Sequence, residues 1–200
     1  MNRPISILIC LFLFFGCCHL KESDTNPKAK DLERSKALND SAFVLIQEFY
    51  QNQDSSLLDK SRVMLNEAIL ADSANISAYS NAIIVLGLKN DYKSIIEITK
   101  RMLDVFENKS YAFVLEMGAY YEMNDTVSAD SICKEAMQYY DMRINEDQSN
   151  IDVIDDMVAF LEFTKGVTFA EKVLDSCIEL YPSSELLQNH KKRLSSMQTE

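Results

Sequence analysis

The feature that most constrains this chain is a recurrence of residues at a fixed interval. Ser61, Ile95 and Ala129 stand 34 residues apart, and so do Ala68, Met102 and Ala136. Within each pair, such as Ser61 and Ala68, the spacing is seven, which is two turns on one face of a helix. The pattern returns at Ala170 and Cys177, 41 residues after Ala129 and Ala136. The added seven fall near Tyr140–Gln148, as two further helical turns or as a longer connection. A period of this length built on helical spacing predicts an all-α array of helix pairs, each burying its apolar face against the next.

Turn chemistry agrees with that reading. Beyond the first sixteen residues only Gly87, Gly118, Gly166, Pro27 and Pro182 remain as breakers, too few for a hairpin-rich chain. The apolar spacing predicts helices at 41–52, 56–71, 76–89, 92–106, 111–123, 126–141, 150–164, 169–181 and 184–197, after a short leading helix over 29–38. Ser56 with Asp59, Ser149 with Asp152 and Thr168 with Glu171 have the form of capping boxes. Asp91 and Asp125 stand where new helices should open. Phe49, Leu65, Leu86, Ile98, Leu115, Leu161 and Leu174 are expected in the seams. Small residues at Gly118, Ala129 and Ala136 allow close helix approach.

The segment from Asp72 to Asn108 resembles a tetratricopeptide repeat without gaps. Tyr79 takes the first large aromatic position, Leu86 the later one, and Asp91-Tyr92 the turn into the second helix. Gly118, Tyr121, Ala129 and Ala136 take the packing positions of the next repeat, and Pro182 matches the proline that closes a repeat. Ile95 and Met102 are bulky where alanine is usual. The resemblance covers roughly 41–182 and implies about four helix pairs in an α-solenoid, with 183–200 as a capping helix and tail. In that helix Leu186, Leu187, His190 and Leu194 form one stripe, with Lys191, Lys192 and Arg193 facing water.

The start of the chain constrains location. Arg3 precedes an apolar run from Ile5 to Phe15, and Gly16 stands before Cys17. Charge, a short apolar stretch and a small residue form the layout of an export leader rather than a membrane span. The junction resembles the lipobox of bacterial lipoproteins. That implies a leader over 1–16, acylation of Cys17, and a tether over 17–40 between lipid and repeats. Cys18 after the acylated position implies the outer membrane, with the protein facing the periplasm or the exterior. The formal charge of −11 disfavours phosphate backbones, so nucleic acid is not an expected partner and the lipid is the only expected membrane contact.

Catalytic chemistry finds little support. The two histidines are His19, in the tether, and His190, on the last helix. No histidine pair has metal-ligand spacing, no glycine-rich phosphate loop occurs, and no serine is framed as a nucleophile elbow. Asp155-Asp156 and Glu162 read as a solvated face, Tyr120-Tyr121 and Tyr139-Tyr140 as partly buried packing residues, and Cys133 and Cys177 as buried, unpaired thiols. The expectation is therefore a binding protein with no cofactor and no metal, not an enzyme. By the family resemblance, the first helices of the repeats line a groove for a protein or peptide. Carried onto this chain, the groove comprises Ser77, Ser80, Ile84, Leu88, Leu115, Ala119, Glu122, Asp152, Asp155, Ala159 and Glu162. Its acidic end suits a segment bearing Lys or Arg. A permanent subunit of an outer-membrane assembly or secretion complex, or a toxin-neutralising lipoprotein, are the alternatives.

Overall fold

The computed structural model describes residues 31–197, and every regular element among them is an α-helix. These are α1 (Leu32–Asn52), α2 (Ser55–Ala71), α3 (Ile76–Leu88), α4 (Tyr92–Val105), α5 (Ser110–Glu122), α6 (Thr126–Glu146), α7 (Ile151–Lys165), α8 (Val167–Leu180) and α9 (Glu185–Met197). The leader, Cys17 and Cys18 and the tether to residue 30 lie outside the described residues. No described helix is long and apolar enough to cross a membrane.

The helix starts repeat as the residues do. α3 and α5 open at Ile76 and Ser110, α4 and α6 at Tyr92 and Thr126, and α7 and α9 at Ile151 and Glu185, each pair 34 apart. The insertion is settled by helix length. α4 has 14 residues and α6 has 21, so the added seven are two further turns of helix. The turns repeat as well. Asn90 and Asn124 both take the left-handed conformation, at φ 55° and 59°, which asparagine tolerates better than most residues. Each is followed by a capping aspartate. Asp91 accepts from the Ser94 N–H at 3.2 Å and Asp125 from the Ser128 N–H at 3.0 Å.

Other helix starts depart from expectation. Asp54 caps α2 through the Ser56 N–H, and Asn150 caps α7 through the Val153 N–H, in place of Ser56 and Ser149. The caps are the carboxylate of Asp54, two residues before Ser56, and the side-chain carbonyl of Asn150, one residue after Ser149. α8 opens after Gly166 without a side-chain cap, so Thr168 lies inside it. α1 runs unbroken from Leu32, merging the expected leading helix with 41–52. Its buried stripe of Ser35, Asn39, Ala42 and Ile46 continues through the expected gap at helical spacing.

Two compact units divide the chain. The described part of the first comprises residues 31–107 and 118–124, and the second comprises 108–117 and the chain from Asp125. Within the first, α1 and α2 are antiparallel. Ser35 Oγ donates to the Ala68 carbonyl at 2.8 Å, while Ser61 Oγ donates to the Ala42 carbonyl at 3.1 Å. α1 and α3 are parallel, with Asn75 Nδ2 donating to Ser35 Oγ and Asn81 Nδ2 to Asn39 Oδ1, both at 2.8 Å. Tyr79 and Phe106 meet edge to face in this core, 5.5 Å apart. In the second unit α8 and α9 are antiparallel, tied by Lys191 to Asp175 and by Ser195 to Glu171. Its core gathers Ile154, Val158, Leu161, Ala170, Leu174, Leu187 and Leu194.

The recurring positions are buried as their spacing requires. Ser61, Ala68, Ile95, Ala129, Ala136 and Ala170 are fully buried, and Met102 nearly so. Cys177 and Cys133 are unpaired but only half-buried, and burial pushes the Cys177 thiol above its usual value. Leu186 departs from its expected stripe and is 41% exposed.

Candidate functional site

On α3, Ser77, Ser80, Ile84 and Leu88 recur at three to four residues and so share one face. Ser77 is exposed and the other three are half-buried. The Asn39–Asn81 bond places this face beside α1, where Phe43 and Tyr50 remain 44% and 54% exposed. This part of the expected groove is therefore accessible and largely apolar.

Leu115 and Ala119 correct the expectation. They are 1% and 0% exposed, and α5 is buried at every position from Ser110 to Ala119. A helix written SYAFVLEMGAYY is apolar on nearly all sides, and such a helix belongs inside. Neither residue is available to a partner. Glu122, one turn on, is half-buried and accepts from the Tyr92 hydroxyl at 3.4 Å.

The acidic stripe on α7 is also different from its expected form. Asp155 Oδ1 lies 2.6 Å from His190 Nδ1 on α9. Glu162 receives Arg193 at 3.1 and 2.6 Å, one bond to each oxygen, with His190 Nε2 3.7 Å away. These bonds align α7 and α9 in parallel. Glu162 and His190 are deeply buried, so two of the expected groove carboxylates are joints between helices. Arg193 and Lys191, expected to face water, keep 43% and 41% of their side chains exposed and also bond to Glu162 and Asp175. Burial would lower the His190 value, but bonding to Asp155 and Glu162 outweighs it and holds the ring above the ordinary 6.5. Burial would raise Glu162, and its bonds to His190 and Arg193 carry it below 4.5 instead.

Asp156, read from sequence as solvated, is 6% exposed. It accepts from the Lys109 N–H at 2.6 Å, from the Ser110 N–H at 3.1 Å, and from the Tyr140 hydroxyl at 2.9 Å. It thus caps the start of α5 from 46 residues away in sequence. Burial raises Asp156 above the usual carboxylate value despite these bonds. Burial, and then the Asp156 charge, push the Tyr140 phenol well above 10.0. Tyr140 is fully buried and Tyr139 half-buried, both against Phe113. A cap of this kind leaves no local pattern, since its partners meet only in the folded chain.

Asp152 and Ala159 complete the α7 stripe. Ala159 is half-buried, whereas Asp152 is exposed on the first turn. Asp152 borders an open cavity of about 480 Å³ walled by the turns that precede α7 and α9. Leu180, Tyr181, Pro182 and Leu186 form its apolar wall, and Glu185 lies on its rim. Tyr181 is held in place by its hydroxyl, which donates to the Gln148 carbonyl. None of these residues except Asp152 belongs to the groove inferred from resemblance. Among the described residues no three His, Cys, Asp or Glu side chains come together in a group able to hold a metal ion.

No family model matches the chain, and comparison with curated proteins and with solved structures finds no match.

Proposed function

We propose that this chain is a lipid-anchored scaffold of a bacterial envelope, built from tetratricopeptide-like helix pairs, that binds a segment of another protein. The observation that carries this reading is the parallel alignment of alternate helices: α1 with α3 in one unit, and α7 with α9, whose starts lie 34 residues apart, in the other. Helix pairs stacked at a fixed step turn their first helices to one side, where the exposed residues of those helices can take a partner. The accessible α3 face of Ser77, Ser80, Ile84 and Leu88 supports it further. The order of Arg3, apolar run, Gly16 and Cys17 supports the anchor.

Two measurements test the proposal. A photo-crosslinking residue in place of Ser80 or Ser183 should capture one discrete polypeptide in living cells. The same residue at exposed Glu135 on α6 should not. Equal capture at all three positions, or none, would remove the scaffold reading. Cys17→Ser should abolish incorporation of labelled palmitate. Unchanged labelling would remove the anchor.

A further inference from the structure

We infer that the cavity between the turns preceding α7 and α9 is a docking site for an extended peptide bearing an apolar side chain beside a lysine or arginine. The inference rests on the scaffold reading and gives it a partner chemistry and a place. The cavity measures about 480 Å³, within the range of built recognition sites. Its wall is apolar and open. Leu180 is 73% exposed and Leu186 41% exposed, an arrangement that leaves two leucines in water at the mouth of one cavity. Tyr181 and Pro182 stiffen that wall, the first through its hydroxyl bond to Gln148 and the second through its fixed φ.

The rim decides the charge of the occupant. Asp152 and Glu185 both border the cavity, and its lining includes no lysine, arginine or histidine. Two helices begin here, which by itself would attract an anion. One open N–H at each of the two helix starts is already engaged, however. Asn150 accepts from Val153, and Ser184 Oγ accepts from Leu187 at 3.3 Å. The two carboxylates then offset the positive helix ends, so a cation is the charge that gains. Lysine or arginine next to leucine, isoleucine or phenylalanine satisfies wall and rim together.

The test uses the full chain and three synthetic twelve-residue peptides. One alternates leucine with lysine, one replaces each lysine by glutamate, and one replaces each leucine by serine. Fluorescence anisotropy should show the leucine–lysine peptide binding at least tenfold tighter than either other. Leu180→Ser with Leu186→Ser should cut its affinity tenfold or more with the melting temperature unchanged, because both side chains are exposed. Glu185→Gln should reduce affinity about threefold and flatten its salt dependence. Binding indifferent to the leucine pair would place the peptide elsewhere on an acidic surface and overturn the assignment, while leaving the crosslinking result to decide the scaffold reading. Equal binding of the glutamate peptide would overturn the charge argument. Self-association of the wild-type chain that the leucine pair abolishes would show a second copy as the occupant and overturn it also.

Discussion

At the scale of single residues, several buried polar groups are joints between helices. Asp156 is the clearest, since it serves two backbone N–H groups and a phenol at once. Asp156→Ala leaves those donors buried without it, and each such group costs about 1–3 kcal/mol. The variant should lose about 3 kcal/mol or more in a denaturant titration, whereas Tyr140→Phe should lose about 1 kcal/mol. A loss below that of Tyr140→Phe would show that Asp156 is not the cap. His190 makes a pH prediction. Its folded value is raised, so its contribution is complete below 6.5 and fades as pH rises through the raised value. Glu162 is lowered, so its contribution is complete above 4.5 and fades only as pH falls through the lowered value. Together they favour the interval between. The melting temperature should fall from pH 6 to pH 8.5, and His190→Gln should flatten that fall. A melting curve indifferent to this substitution would remove the linkage. His190 was legible as a structural residue on an apolar stripe; its partners were not, because Asp155 and Glu162 approach it from 35 and 28 positions away.

At the scale of elements, spacing was a good guide to where helices lie and a poorer guide to how they begin. Asp91 and Asp125 cap their helices because each follows a left-handed asparagine, a local signal that can be read directly. At α2 and α7 a serine competes with a neighbouring acid or amide for the same role, and Asp54, before Ser56, and Asn150, after Ser149, take it. The groove was only half legible. Ser77, Ser80, Ile84 and Leu88 are accessible, yet Leu115 and Ala119, one repeat on from Asn81 and Val85, are buried, because α5 carries apolar residues on nearly every side. Resemblance fixes which face a residue occupies and leaves open what covers that face. Close helix contact at the recurring positions can be tested. Ala136 is fully buried on α6. Ala136→Phe should destabilise by about 1–3 kcal/mol through overpacking, read by thermal circular dichroism. A neutral result would mean that the 34-residue pattern does not mark packed crossings.

At the scale of the whole molecule, the scaffold reading rests on the 34-residue step and its parallel alternation of helices. The step reappears in helix starts, in turns and in buried small residues, three features that chance would not align. Ser149 and Ser183 are 34 apart, both exposed, in the turns before α7 and α9; Ser195 lies exposed near the end of α9. With the five native cysteines replaced by serine, spin labels at Ser149→Cys and Ser183→Cys measure the start-to-start distance. Labels at Ser149→Cys and Ser195→Cys measure start to end. Parallel helices pack at about 8–10 Å between axes, and ten residues of α9 rise about 15 Å. The first distance should therefore be the shorter, by several ångströms. The reverse order would make α7 and α9 antiparallel and contradict the repeat on which the scaffold is built.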